Sequence, residues 1–252
     1  MYNSRERKAI IFTLALTFIL LMIPDSNAMH IMEGYLPPMF CISWGVVCLP
    51  FLALGYLSIK KQVSENHRST TILAMCGAFI FVISSLKIPS VTGSCSHMTG
   101  TGLGAILFGP TPVSILGAIV LLFQAILLAH GGLTTLGANI FSMAIAGPFV
   151  TYGIYYICKR AKINNHVSIF LAAALGDLIT YCVTSFQLAI AYPSPQGGLF
   201  MSVVKFLLVF APTQLPLAII EGILTVVIII GLETYAKDEL SELKYVRKAM
   251  KL

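Results

Sequence analysis

The sequence predicts an all-α protein, a polytopic membrane bundle with about seven helices in the mature chain. Three observations predict it. Of the 252 residues, 57% are hydrophobic and 10% charged, where a soluble domain carries about 25% charged residues. Mean hydropathy is +0.88, and apolar runs of membrane-spanning length recur along the chain. The basic residues lie between and after those runs, so the net charge of +6 marks membrane topology rather than a nucleic-acid surface.

Residues 1–28 read as a cleavable signal peptide. Arg5, Arg7 and Lys8 form a basic start, Ile10 to Ile23 an apolar stretch, and Ser26 and Ala28 are the small residues before the cut. The apolar stretch is short for a transmembrane helix. Residues 29–252 then form a single membrane-embedded domain. Apolar spans follow at 40–58, 70–86, 101–109, 112–129, 136–158, 167–192 and 200–232. The third is too short to cross a hydrocarbon layer of about 30 Å at about 1.5 Å per residue. It reads as a half-helix, a re-entrant piece or a tilted short helix. The last is long enough to tilt or to break near Pro212 and Pro216.

Counting crossings with Met29 outside, and the short span paired with its successor, places Lys60, Lys61 and Arg68 inside. Lys159, Arg160 and Lys162 also fall inside, as does the basic tail from Lys237 to Lys251. Only Lys87 and Lys205 depart from this bias, which supports an extracytoplasmic mature N-terminus and a cytoplasmic C-terminus. Cys41, Cys48, Cys76, Cys158 and Cys182 lie in or beside apolar runs, where cysteine acts as a small hydrophobe.

Cleavage after Ala28 would leave a free amine on Met29 with an imidazole one residue later, at His30. The amine, the His30 amide nitrogen and His30 Nδ1 can wrap a divalent ion in two fused chelate rings. The loop 87–100 lies on the same side of the membrane and carries His97. If it folds back into the bundle, His97 supplies a fourth nitrogen; spacing alone equally allows an external-loop histidine. Four nitrogens suit a tetragonal or square-planar ion of the cobalt, nickel or copper group, and suit magnesium and calcium poorly. Cys95 could add a thiolate, but its Ser/Gly loop offers no cation to lower its pKa. Met32 reads as a packing residue and Glu33 as a supporting hydrogen-bond acceptor. His130, in Ala-His-Gly-Gly, reads first as a helix-end cap, and His67 and His166 as solvated. Gln124, Asn139, Asp177, Gln187, Gln214 and Glu221 lie within or near apolar spans. They read as inter-helix hydrogen bonds, with buttressing of the 87–100 loop or an entry path as further roles. Ala74 and Ala78 frame a small-xxx-small pattern that lets a helix approach closely, within the chain or from a partner.

Two long motifs carry a resemblance. Met-His-Ile-Met-Glu-Gly-Tyr-Leu-Pro at 29–37, and the stretch 87–110 from Lys-Ile-Pro-Ser to Leu-Phe-Gly-Pro, closely resemble the CbiM family. This family comprises substrate-binding S components of cobalt energy-coupling-factor (ECF) transporters. The likeness extends over the mature chain, including Asn139 and Ala-Gly-Pro at 146–148; Met98 stands where many relatives have proline. The resemblance implies about seven helices with the N-terminal segment inserted among them. It also implies Met29, His30 and His97 as metal ligands, Co(II) as transported substrate with Ni(II) possible, and delivery into cobalamin synthesis. The implied partners are a CbiN-type small membrane subunit, a CbiQ-type coupling protein and a CbiO-type ATPase. In related S components a small-residue helix docks on the coupling protein, which makes Ala74 and Ala78 contact candidates. The chain lacks a GxxxxGK[ST] motif of its own, so ATP hydrolysis is expected in a partner and no cofactor or catalytic residue in this chain. An ATP-independent secondary transporter would favour an inverted repeat, and a membrane metalloenzyme an activated water beside a base. The sequence supplies neither.

Overall fold

A computed structural model describes residues 27, 28, 30–65, 68–89, 94–237, 240 and 243. Residues 1–26 of the predicted signal peptide and Met29 lie outside the described residues, as does His67. Among those described, seven helices dominate. They are α1 (Pro38–Glu65), α2 (Arg68–Ser85), α3 (Thr101–Phe108), α4 (Pro110–Leu127), α5 (Leu136–Arg160), α6 (Asn165–Ala191) and α7 (Gly198–Tyr235). The α1, α4, α5, α6 and α7 helices are long and apolar enough to cross a membrane, and α2 contains a shorter apolar stretch. The chain is a multi-pass membrane protein. Its outer faces agree: Leu49, Leu54 and Leu57 of α1, Phe123 and Ile126 of α4, and Ile219, Ile223 and Val227 of α7 are all exposed. Lipid, not water, is the solvent that tolerates such faces.

The short third span is α3. All eight of its residues are buried, and at about 1.5 Å per residue it reaches less than half-way across a bilayer. Gly109 at φ 91° followed by Pro110 turns the chain directly into α4. Of the two expectations for the last span, to tilt or to break, the break does not occur: α7 runs unbroken through Pro212 and Pro216. Pro212 leaves the Leu208 carbonyl without its helical donor. Polar groups crowd this stretch instead: Tyr181 Oη donates to the neighbouring Leu207 carbonyl, and Thr213 Oγ1 donates to Phe210 O at 3.1 Å.

The α6 and α7 helices pack along each other, α5 lies against α6, and α1 against α4. Small residues permit these approaches. A Cβ at Gly55 of α1 would stand 2.5 Å from the Thr111 carbonyl, and one at Gly117 of α4 would stand 2.5 Å from Ala144 Cβ. The middle of α5, Ile140–Ala146, is a π-helical turn. Ile31 and Leu36 from the N-terminal segment pack with Ala138, Tyr181, Leu188 and Phe210. The segment is thereby part of the bundle core. Beside it, strands β1 (Asn27–Ala28), β2 (Ile88–Pro89) and β3 (Ser94–Ser96) form a small sheet in the order β1-β3-β2. β1 runs parallel to β3 with Ala28 opposite Cys95, and β2 runs antiparallel to it.

Candidate metal centre

The N-terminal segment is fixed by backbone hydrogen bonds that any side chain at Ile31 would leave intact. Ile31 N donates to Asn139 Oδ1 at 2.8 Å, and Asn139 Nδ2 donates back to Ile31 O at 3.0 Å. Thr135 Oγ1 donates to the same carbonyl at 2.6 Å. Glu33 Oε2 accepts from Thr134 N at 3.1 Å, the supporting role the sequence suggested. The chain at Gly132 passes so close that a Cβ there would lie 2.5 Å from Glu33 Cα.

The loop carrying His97 folds inward and is held from below by α6 and α7. Glu221 accepts three hydrogen bonds, from Thr99 N at 2.6 Å, Thr99 Oγ1 at 2.8 Å and Gly100 N at 3.1 Å. Gln214 Nε2 donates to His97 O at 3.2 Å and to Asp177 Oδ2 at 2.6 Å. Gly100, at φ 68°, makes the turn where a Cβ would press on the α2 backbone 3.2 Å away at Ile80. Glu221, Gln214 and Asp177 thus buttress the loop, one of the roles raised for them. The other ring nitrogen of His97 is oriented by a backbone group instead: Nδ1 lies 2.9 Å from Met98 O. A carbonyl only accepts, so Nδ1 carries the proton and Nε2 presents its lone pair.

That lone pair faces His30. His30 Nδ1 and His97 Nε2 are 2.6 Å apart, and the rings stack with centroids 4.5 Å apart. Two nitrogens bound side by side to one ion at about 2.0–2.1 Å and at right angles stand about 2.9 Å apart. The pair therefore needs only a small separation to admit a cation. Both rings are almost wholly buried, His30 at 3% exposure and His97 at 0%. Burial is the main cause that holds His97 down at about 4, against the opposing hydrogen bond to Met98. Burial also lowers His30 well below its usual value, with the neighbouring imidazoles adding to the effect. Both are neutral near pH 7, the protonation state of a metal ligand. A cavity of about 10 Å³, enough for one water or a bare cation, adjoins them and is lined by Asn139, Ser142, Met143, Thr180 and Thr184.

His130 joins these two rings, although the sequence reads it first as a helix-end cap. The expected helix-end cap is not made by its side chain. Its backbone N–H donates to Gln124 O at 3.1 Å, while its ring turns inward to pack edge-on against His30 and His97, with centroids 4.5 and 4.9 Å away. Among the described residues neither ring nitrogen has a hydrogen-bond partner. The three imidazoles together could hold a metal ion, with ligand atoms all within 4.8 Å of one another. The signal that could have found it is the Gly131-Gly132 pair, which permits close backbone approach: a Cβ at Gly131 (φ 83°) would lie 3.0 Å from Asn139 Nδ2. The Cys95 side chain lies outside what the structure describes. His166 is exposed, and Ala74 and Ala78 are exposed on α2.

A buried, neutral imidazole cluster inside a multi-pass helical bundle defines the class: a membrane protein with the fold of transition-metal transporters. A solved structure described as a transition metal transporter matches with a TM-score of 0.71 and 30% identity, covering 81% of this chain and 92% of that one. A truncated transition metal transporter matches with a TM-score of 0.70 and 29% identity, covering 82% and 99%. The family model for CbiM, described as the cobalt uptake substrate-specific transmembrane region, matches residues 30–239. The "Cobalt transport protein CbiM" of Lachnoclostridium phytofermentans is 70% identical over 241 residues, covering 96% of each chain. Its counterpart from Chlorobium limicola is 61% identical over 225 residues, covering 89% of each. This chain belongs to the CbiM family.

Proposed function

We propose that this chain is the substrate-binding subunit of an ATP-driven ECF-type importer that captures Co(II) at the outer membrane face. Signal peptidase cuts after Ala28, and the freed Met29 amine, the His30 amide nitrogen, His30 Nδ1 and His97 Nε2 bind the ion. The observation that carries this reading is the 2.6 Å approach of His30 Nδ1 to His97 Nε2 inside the bundle. The names of the relatives support cobalt as the ion. The neutral imidazoles favour uptake of a cation without prior deprotonation of either ring, whereas the amine and amide must shed protons as the metal binds. Asn139 and Thr135 fix the segment so that His30 meets His97 in one register.

Energy comes from a partner ATPase of CbiO type, through a CbiQ-type coupling protein and with a CbiN-type small subunit. Ala74 and Ala78 on the exposed face of α2 provide the contact with the coupling protein. The imported cobalt supplies cobalamin synthesis. N-terminal sequencing of the purified protein with elemental analysis tests the reading. It predicts Met29 as the first residue and stoichiometric cobalt; nickel in its place would mark the Ni(II) branch. One extra residue placed before Met29 in the mature chain displaces the amine and should abolish tight retention. Unchanged cobalt content in that variant would refute the amine's role.

A further inference from the structure

We propose that His130 is an apical ligand to the captured ion and sets the preference for Co(II) over Ni(II). This rests on the capture reading above and adds to it a fifth nitrogen, outside the plane of the other donors.

His130 is 1% exposed and, among the described residues, neither of its ring nitrogens has a hydrogen-bond partner. A buried polar group without a partner is destabilising, so the cluster holds these two nitrogens at a standing cost. The backbone also works to bring the ring there. Ala129 adopts φ 47°, a conformation L-residues rarely take, and Gly131 follows at φ 83°. Both turns aim the side chain between them at His30 and His97.

The orientation fits an apical role. The His30 and His97 rings lie 23° from parallel, whereas His130 stands 67° and 90° from them. The other polar groups near the ion are less available. Ser142, Thr180 and Thr184 line the adjoining cavity, but they offer neutral hydroxyl oxygens, poorer donors than imidazole to a late transition ion. Asn139 is committed to Ile31 at both its oxygen and its nitrogen.

The metal consequence follows from electron count. A planar set of four strong nitrogen donors satisfies d8 Ni(II), which gains little from an axial ligand. For d7 Co(II) in the same field, the unpaired electron occupies the orbital along the open axis, and a fifth nitrogen binds there. Thiol or carboxylate donors are not needed; the third imidazole alone separates the two ions.

The test uses the mature, signal-cleaved protein in detergent, loaded with Co(II) or Ni(II). Electron paramagnetic resonance of the cobalt form should show each parallel line split into a triplet by one axial ¹⁴N. Labelling histidine with ¹⁵N should turn the triplets into doublets. In His130→Phe the splitting should vanish, and Co(II) affinity should fall at least about tenfold while Ni(II) affinity changes less than about threefold. The wild-type spectrum is informative even if that variant folds poorly. A cobalt-loaded wild type without nitrogen splitting overturns the apical ligand and leaves the capture reading standing. Splitting that persists in a folded His130→Phe protein does the same. A wild type that holds neither metal overturns the capture reading, and the apical ligand falls with it.

Discussion

Residues at the centre divide into ligand candidates and the groups that place them. The sequence alone exposed His30 and His97, because one follows a cleavage pattern and the other sits in a polar loop between apolar spans. It did not expose His130. That ring enters the cluster through backbone turns at Ala129 and Gly131, which only the packing of the N-terminal segment against the α4–α5 connection reveals. Asn139 was legible as a buried polar residue but not as a two-way clamp on Ile31. Asn139→Ala leaves Ile31 N without a partner, at about 1–3 kcal/mol, while Ile31 O keeps only its hydrogen bond from Thr135 Oγ1. Its expected result is weakened metal retention with helix content unchanged, read by elemental analysis alongside circular dichroism. The histidines also set a pH dependence. Their folded pKa values are lowered while the unfolded value is about 6.5, so below that pH the unfolded chain binds protons the fold excludes. Stability is fully present above about pH 6.5 and drains away as pH falls towards about 4, the His97 value. Melting of the metal-free protein in detergent should show this decline; a flat profile from pH 6.5 to 4 would contradict neutral buried imidazoles.

Elements were legible where lipid dictates them. Every apolar span became a helix, because a backbone in hydrocarbon must satisfy its own hydrogen bonds. The ends were read less well, since hydropathy does not set them. The α1 helix continues past the apolar run through Lys60 to Glu65. The α6 helix starts where the Asn164 side chain accepts from His166 N. Two features were invisible in sequence. One is the continuity of α7 through two prolines. The other is the π-turn in α5, which lies directly after Asn139 and contributes Ser142 and Met143 to the cavity wall; such turns recur at functional sites. The turn depends on close packing, as Ala144 within it faces Gly117. Gly117→Val should therefore cost about 1–3 kcal/mol by overpacking, seen as a lower melting temperature. A variant as stable as the wild type would mean that α4 and α5 separate freely and do not brace the site.

At the scale of the whole molecule, the proposed metal site and the proposed partner contact fall on different surfaces. The imidazole cluster is enclosed, while Ala74 and Ala78 lie open on α2 with Met75 and Val82, both more than half exposed. The opposite side of that helix, through Ile72, Leu73 and Cys76, packs into the core with Leu103 and Leu107 of α3. Behind α3 stands the loop that Glu221 holds, so α2 touches both the exposed face and the support of His97. This arrangement lets a partner bear on α2 without touching the ion. A bulky side chain at Ala78 points away from the core and should leave the isolated subunit intact. Ala78→Trp is accordingly expected to keep wild-type cobalt content and melting temperature while ATP-dependent uptake by the reconstituted complex drops at least tenfold, on the order of the 1.4 kcal/mol that one decade of affinity represents. Uptake at the wild-type rate would remove α2 from the coupling interface; loss of bound cobalt instead would show that the two surfaces are not independent.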